Sequence, residues 1–141
     1  MKSYDTGSKR SPIPPELDGY LDKLKHKTSL FGSWNKRYFR VNVNNECLEY
    51  FSNKPANTSV MANASIKLSD LKVIRKFDSN SFQLDAGVGG VYLLRTDSQA
   101  QFTCWFNGLD RYIKDKKECE RVNEAYNATQ KEIFEIKHDR K

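Results

Sequence analysis

Six basic side chains are concentrated in a single stretch of the chain, from Gly19 to Arg40. The stretch reads GYLDKLKHKTSLFGSWNKRYFR and contains one acidic residue, Asp22, so it holds five of the six net positive charges of the 141-residue chain. Clustered cations attract polyanions such as phosphorylated headgroups or nucleic acid, because they focus the electrostatic field in one place. The stretch is therefore a candidate anion-binding site.

The same stretch has the pattern of a β-hairpin, and short alternating apolar runs continue after it. This pattern predicts seven antiparallel strands in a small barrel or sandwich. The strands are predicted near residues 19–27, 34–43, 47–51, 64–68, 71–77, 81–86 and 91–96. Asn44 and Asn45 suit a tight turn between the second and third strands, because both residue types favour hairpin turns.

After Thr96 the apolar period changes from two residues to about 3.6, which indicates a helix with Asp97 or Ser98 as its N-cap. One helical face carries six apolar residues: Phe102, Trp105, Phe106, Leu109, Tyr112 and Ile113. Because this stripe is strongly apolar, we expect the helix to cover one end of the strands. We also expect Cys104, beside Trp105, to be a small core residue.

The alternation of side chains along a strand shows which basic residues of the hairpin face the core. Leu21 and Phe39 must face the core, and side chains two positions apart share a face of a strand. Lys23 and Arg37 are therefore expected to point inward near the open end of the barrel, with Tyr50 on the third strand beside them. An arginine can bind a phosphate with two hydrogen bonds, and a lysine adds a point charge. The alternative is that these are ordinary solvated charges on an exposed hairpin.

The order of the elements and three short motifs resemble the pleckstrin homology (PH) domain over roughly residues 17–115. The matching residues are Gly19, Leu21 and Lys23 in the first strand, Trp34, Arg37 and Phe39 in the second, and Trp105 in the helix. The resemblance implies an all-β barrel or sandwich of seven antiparallel strands capped by a C-terminal α-helix. It also implies that the matching positions of the first two strands contact phosphoinositide headgroups.

We predict that eight residues contact the headgroup: Lys23, Lys25, Lys27, Asn35, Lys36, Arg37, Tyr50 and Lys54. Family members that bind 3-phosphorylated inositides usually have a second basic residue where this chain has Asn35. A further basic position best matches Asn63. We therefore expect moderate affinity and loose selectivity, with phosphoinositide monophosphates and phosphatidic acid as plausible as polyphosphates. Lys25, Lys27, Lys36 and Lys54 could partly compensate for the missing cations.

The connection between the first two strands, HKTSLFGS, adds an apolar pair, Leu30 and Phe31. Inserting both side chains into a bilayer would contribute about 1.5 to 3 kcal/mol each as an upper estimate. Each neighbouring basic residue adds roughly 1 kcal/mol at an anionic surface. We therefore predict that Leu30 and Phe31 insert into membranes. The alternative is that they fold back and close the end of the barrel.

Around the PH-like domain, at 17–115, we predict a flexible N-terminal lead-in at 1–16 and a charged helical tail at 116–141. There is no run of 18 apolar residues and no apolar signal core, so we expect a cytoplasmic protein that is peripheral on membranes. The three cysteines have no CxxC spacing and are expected to be free thiols in a reducing compartment.

Motifs for catalysis are missing from the sequence. His26 and His138 lie far apart, and neither belongs to a metal-ligand or nucleophile motif. The sequence contains no Walker motif, no GxSxG and no GxGxxG. We predict a non-catalytic protein that needs no cofactor and no metal.

Two other kinds of partner follow from the same residues. Trp34 and Tyr38 face outward by parity while Phe39 faces the core, so these aromatics form no stacking platform and nucleic acid is not expected. A protein-interaction or adaptor domain is the stronger alternative, because sheet edges and a C-terminal helix can bind peptides. The apolar residues of the tail that could form such a docking helix are Tyr126, Ile133, Phe134 and Ile136.

Overall fold

The computed structural model of the chain describes residues 9–25 and 33–139. Within these ranges it contains seven strands and one long helix, as the sequence predicts. They are β1 (Asp18–Leu24), β2 (Trp34–Asn42), β3 (Cys47–Phe51), β4 (Ala64–Lys67), β5 (Val73–Lys76), β6 (Ser81–Asp85), β7 (Val91–Arg95) and α1 (Gln99–Asp139). Two short 3-10 helices, Leu68–Asp70 and Gly87–Gly89, precede β5 and β7.

The seven strands form one antiparallel sheet in the order β4-β3-β2-β1-β7-β6-β5. Strand β1 pairs with β2 along its whole length, and Lys23 lies opposite Asn35. Its pairing with β7 comprises two residue pairs, Asp22 with Arg95 and Lys23 with Leu94. We call the end of the sheet at which β1 finishes and β7 begins the open end, because few ladder hydrogen bonds join the two strands there.

The hydrophobic core lies between the inner face of the sheet and the first part of α1. Leu21 and Phe39 are fully buried, as strand parity predicts. Trp105 of α1 meets the Phe39 ring edge to face, with 6.5 Å between the ring centroids. The expectation that Cys104 is a core residue is wrong, because its thiol is exposed. Successive helical residues point about 100° apart, so the neighbour of a buried tryptophan need not be buried.

Ser98 caps the N-terminus of α1, which decides between the two predicted caps. Its hydroxyl accepts a hydrogen bond from the Gln101 backbone N–H at 3.1 Å. The Gln101 side chain accepts one from the Asp97 N–H at 2.9 Å and donates one to the Tyr20 carbonyl, also at 2.9 Å. A hydrogen bond thus connects the start of the helix directly to β1, the strand that carries Lys23.

The chain divides into two compact units, and the division falls within α1. The larger unit is Ile13–Ile113 and contains the sheet, and the smaller combines Met1–Pro12 with Lys114–Lys141. In the smaller unit the Asn123 side-chain amide accepts a hydrogen bond from the Lys9 N–H at 2.8 Å and donates one to the Lys9 carbonyl at 3.3 Å. Both backbone groups of Lys9 are therefore paired with the Asn123 side chain, and the Cys119 thiol also donates to the Lys9 carbonyl at 3.3 Å.

A second group of aromatic rings lies on the outer face of the sheet. Tyr38 points outward as parity predicts, yet only 5% of it is exposed. Tyr20 packs edge-on against it at 5.3 Å between centroids, and Phe51 lies at 6.4 Å. Lys54 places its ammonium 6.0 Å from the centre of the Tyr38 ring. This outer cluster buries apolar surface that the main core does not reach.

The Tyr38 hydroxyl in this outer cluster donates a hydrogen bond to the Asp18 carboxylate. Burial and this hydrogen bond raise the pKa of Tyr38 from 10.0 to about 12. The folded-state pKa therefore lies above the unfolded value, so the stability that this hydroxyl contributes is complete below pH 10 and is lost as the pH rises toward 12.

Between pH 10 and pH 12 we expect the urea midpoint of the wild type to fall more steeply than that of Tyr38→Phe. Parallel curves for the two proteins would contradict this assignment.

Candidate anion-binding site

Lys23 lies at the open end of the sheet between two aromatic rings. Its ammonium is 5.6 Å from the centre of the Tyr50 ring on β3 and 5.7 Å from that of the Tyr92 ring on β7. Burial, and secondly the charge of Arg37, lower the pKa of Lys23. The lysine is thus held in place by rings on both sides in surroundings that disfavour its charge.

Arg37 is the second cation of this site. It lies opposite Leu21 in the β1–β2 ladder, on the same face of the sheet as Lys23. One guanidinium nitrogen, Nη1, donates a hydrogen bond to the Lys36 carbonyl at 3.0 Å. Within the described residues neither Lys23 nor Arg37 forms a salt bridge with an acidic side chain. Two like charges without a counter-ion repel each other, and a bound anion would relieve that repulsion.

Other predicted site residues lie on the same face. Asn35 is directly opposite Lys23 in the ladder and supplies an amide beside it. Tyr50 reaches the site with the face of its ring, over which the Lys23 ammonium lies. Lys25 continues β1 toward the open end, and its N–H bonds to the Ser33 carbonyl at 3.0 Å. The structure therefore brings together Lys23, Lys25, Asn35, Arg37 and Tyr50.

Lys36 and Lys54 lie elsewhere. The Lys36 ammonium is 3.5 Å from an Asp97 carboxylate oxygen and 3.9 Å from one of Asp22, on the outer face. Lys54 belongs to the outer aromatic cluster through its contact with Tyr38. Each of these two lysines already interacts with its own neighbours, away from Lys23 and Arg37. Lys27, Leu30 and Phe31 fall outside the described residues.

Tyr92 also belongs to the site, although it was not among the eight residues predicted from the sequence. Parity within β7 places it on the same side as the buried Leu94. That signal was present in the sequence, but its use required knowing that β7 lies beside β1. Besides its ring contact with Lys23, its hydroxyl donates a hydrogen bond to the Gly89 carbonyl at 3.0 Å.

A cavity of about 450 Å³ adjoins Lys23 and Lys25 and extends over the outer face of β6 and β7, on the side of the sheet opposite Arg37. It is lined by Lys23, Leu24, Lys25, Phe77, Gln83, Val91, Tyr92 and Leu93. The lining combines two ammonium groups with a largely apolar wall. Exposed apolar side chains of the outer face therefore lie beside the basic end of β1.

The described residues also bear on whether the chain has a metal site or a membrane-spanning helix. In the ranges 9–25 and 33–139, no three histidine, cysteine or acidic side chains lie close enough together to hold a metal ion. Over those ranges, no helix combines the length and the apolar character that crossing a bilayer requires.

A seven-stranded antiparallel sheet, covered on its inner face by one helix and carrying two cations at its open end, defines a small β-sheet domain capped by a helix. A family model described as the PH domain matches residues 15–114, which is well over half of the chain. The chain therefore belongs to the PH domain family, and the resemblance found in the sequence is confirmed.

Three of the solved structures that resemble this chain are PH domains at 20–22% sequence identity. The human oxysterol binding protein-related protein 11 domain is 22% identical, with a TM-score of 0.59 over 79% of this chain and 91% of its own. The human TBC1 domain family member 2 domain is 21% identical, with a TM-score of 0.57 and the same coverage. The Slm1 PH domain, solved with inositol-4-phosphate, is 20% identical, with a TM-score of 0.56 over 72% of this chain and 98% of its own. A comparison with curated proteins finds no match.

Proposed function

We propose that this chain is a non-catalytic membrane-targeting module that binds the anionic headgroups of phospholipids at the open end of its sheet. The observation that carries the proposal is the pair of inward-facing cations, Lys23 and Arg37, which form no salt bridge with any acidic side chain in the described part of the chain. A phosphate offers the counter-charge that this pair lacks, and the guanidinium and ammonium suit it as a bidentate donor and a point charge. Attachment to the membrane is peripheral, from the cytoplasm.

The expected ligands are phosphoinositides, or phosphatidic acid with loose selectivity. Asn35 provides an amide where a further charge would strengthen the grip on a polyphosphate. Lys36 and Lys54, which could have replaced that charge, face the other side of the sheet. The inositol-4-phosphate bound to the similar Slm1 domain is a ligand of the same chemical kind. These features favour moderate affinity for headgroups with one or few phosphates.

Sedimentation with vesicles tests the proposal. The full chain is mixed with vesicles of phosphatidylcholine alone, or with added phosphatidylinositol monophosphate or phosphatidic acid at equal surface charge. We expect sedimentation with both anionic vesicles and none with phosphatidylcholine. Raising the salt concentration separates pocket binding from diffuse attraction, because the latter is screened. Failure to sediment with any anionic vesicle at low salt would refute the proposal.

A second candidate function is protein interaction through the tail of α1, and the exposure of its apolar side chains favours it. Ile133 is 42% exposed and Ile136 57% exposed. Tyr126, Thr129, Ile133 and Ile136 follow one another at spacings of three, four and three residues, which is the repeat of a coiled-coil seam. This spacing favours a second copy of the same helix as the partner.

Self-association through this seam predicts a concentration-dependent shift toward dimer in sedimentation velocity. The double variant Ile133→Glu, Ile136→Glu should remain monomeric over the same range, because like charges then face each other along the seam. A matched control, Glu132→Gln with Glu135→Gln, alters exposed positions beside the seam and should leave the association intact. A wild type that is monomeric at every concentration would exclude self-association by this route.

A further inference from the structure

We propose that the outer face of the sheet, where β1, β6 and β7 lie side by side, is a docking surface for an acidic amphipathic helix of a partner protein. Four apolar side chains form this surface, which we call the outer apolar patch: Leu24, Phe77, Val91 and Leu93. The inference goes beyond headgroup binding, which we place on the inner face, and it concerns a different surface from the tail of α1.

The side chains of the outer apolar patch point away from the core. Leu93 precedes the fully buried Leu94 in β7, so the alternation of the strand turns it outward. Phe77 is 66% exposed and Val91 45% exposed, whereas Leu24 and Leu93 are half-buried. The solvent face of an antiparallel sheet normally carries polar side chains, so adjoining apolar residues on that face mark an interaction surface.

A row of side chains across four strands places a cation on either side of the patch. Arg75 of β5 lies opposite Gln83 of β6, and Gln83 lies opposite Leu93 of β7. The β1–β7 ladder, continued by one residue, puts Leu24 opposite Leu93. Lys25 follows Leu24 and lines the same cavity. The apolar centre of the row is therefore bordered by exposed basic residues, Arg75 at one end and Lys25 at the other.

The charge that remains around the patch is positive. In the ranges 9–25 and 33–139, neither Arg75 nor Lys25 forms a salt bridge. The nearby carboxylates already have partners. Asp22 forms a salt bridge at 3.2 Å, and Asp78 and Asp85 accept hydrogen bonds of 2.7 and 2.8 Å within their own turns. A partner with acidic side chains complements the two basic residues, and a basic partner would be repelled.

The backbone of the sheet favours a helix over an extended peptide as the partner segment. Strands β1, β7 and β6 each pair with a neighbour on both sides, so the face that they form offers no sheet edge to an added strand. A helix makes its backbone hydrogen bonds internally and needs only side-chain contacts. From β5 to β1 the row spans roughly 14 Å at the usual strand spacing, and a helix with its side chains is about 10–12 Å wide. A helix lying along β7 therefore brings its apolar stripe onto the patch and its flanking acidic residues to the two cations.

A bilayer is the other class of occupant, and the position of the patch favours a protein. The patch lies on the broad outer face of the sheet, whereas Lys23 and Arg37 lie on the inner face at the open end. A flat bilayer that meets the sheet end-on does not lie against its broad face. The outer apolar patch is therefore accessible to a protein whether or not a headgroup is bound.

Titration of the nitrogen-15-labelled full chain with a synthetic peptide tests the inference by NMR. The peptide is a crosslinked helix of about four turns, with leucines at positions i, i+3, i+4 and i+7 and glutamates along both flanks. We expect the backbone amide signals of Leu24, Gln83 and Leu93 to shift. The same peptide with lysines in place of the glutamates should bind about tenfold more weakly at low salt, because it meets cations on both sides.

Two variants and their matched controls locate the binding. Phe77→Asp should weaken binding of the acidic peptide about tenfold, because it removes an apolar contact and repels the glutamates. Arg75→Glu should weaken it several-fold by the loss of charge complementarity. Phe134→Asp changes a phenylalanine of the tail that is 58% exposed, and Lys67→Glu changes an exposed lysine of β4. Both controls should bind the peptide as the wild type does, and all four variants should keep the wild-type urea midpoint because they alter exposed side chains.

Absence of shifts at the patch at millimolar peptide, or equal binding of the acidic and basic peptides, would overturn the inference. Phe77→Asp should sediment with anionic vesicles as the wild type does, because Lys23 and Arg37 remain in place. Loss of vesicle binding in this variant would show that the patch contacts the bilayer instead. Self-association of the wild type that Phe77→Asp abolishes would identify a second copy of the chain as the occupant, and would equally refute an acidic partner helix. The peptide titration requires no lipid, so its result stands apart from that of the proposed headgroup site.

Discussion

The double variant Lys23→Ala, Arg37→Ala is expected to lose sedimentation with anionic vesicles. Each cation would make a charge-assisted hydrogen bond to phosphate worth about 1.5 to 3 kcal/mol, so losing both weakens binding by a factor of roughly one hundred or more. Lys36→Ala with Arg40→Ala is the matched control, since it removes the same charge from the same hairpin. Lys36 pairs with Asp97 and Arg40 with Glu49 on the outer face. The control should weaken binding only slightly, and mainly at low salt.

Stability separates this result from a folding defect. Burial of Lys23 and its repulsion by Arg37 oppose its charge in the folded state, and they offset the contacts of its ammonium with the Tyr50 and Tyr92 rings. We therefore expect the denaturation midpoint of the double variant to stay close to that of the wild type. Equal weakening of vesicle binding by the inner and outer pairs would show that only diffuse charge matters, and would rule out a headgroup site.

The second large effect concerns the core. Trp105→Ala should lower the free energy of unfolding by about 3 to 5 kcal/mol, because the residue is only 2% exposed and its removal leaves a large cavity in the core. The free energy of unfolding of a typical domain is only about 5 to 15 kcal/mol. We therefore expect this variant to be largely unfolded at moderate urea concentrations. Urea denaturation followed by circular dichroism provides the measurement.

Trp34→Ala is the control for the same substitution outside the core. The Trp34 ring lies under the Arg95 guanidinium, 4.1 Å from its central carbon to the ring centroid. Losing this partly exposed contact should cost about 1 kcal/mol. A cost for Trp34→Ala as large as that for Trp105→Ala would mean that the main core is not centred on the sheet and helix contact described above.

Strand parity predicts the inner half of the site well. The alternation in β1 and β2 fixes Leu21 and Phe39 as core residues, and this also fixes the direction of Lys23 and Arg37, since the period of a strand is two residues. The same reasoning leaves out Tyr92, because the pairing of β1 with β7 joins segments about 70 residues apart in the chain. Local patterns carry no information on such long-range neighbours.

Parity also gives the direction of a side chain without giving what covers it. Tyr38 points outward as predicted, but the outer aromatic cluster buries it almost completely. Lys54 was included in the site on the basis of its charge, and the segment after β3 places it over the Tyr38 ring instead. Tyr20 and Phe51 on the neighbouring strands cover Tyr38, and the loop after Phe51 positions Lys54. Both outcomes depend on tertiary contacts that the alternation within one strand does not encode.

The two faces of β2 carry separate tasks at neighbouring positions, and this has a consequence for how the domain can vary. Arg37 lies on the face of the proposed headgroup site, whereas Lys36 pairs with Asp22 and Asp97 on the outer face. A one-residue slip of a strand exchanges its two faces. Inserting or deleting a single residue within β2 would therefore exchange ligand contacts and framework contacts all at once. Substituting a single inward-facing side chain would disturb the fold less than such an insertion or deletion. It could alter headgroup preference while the outer-face ion pairs remain intact.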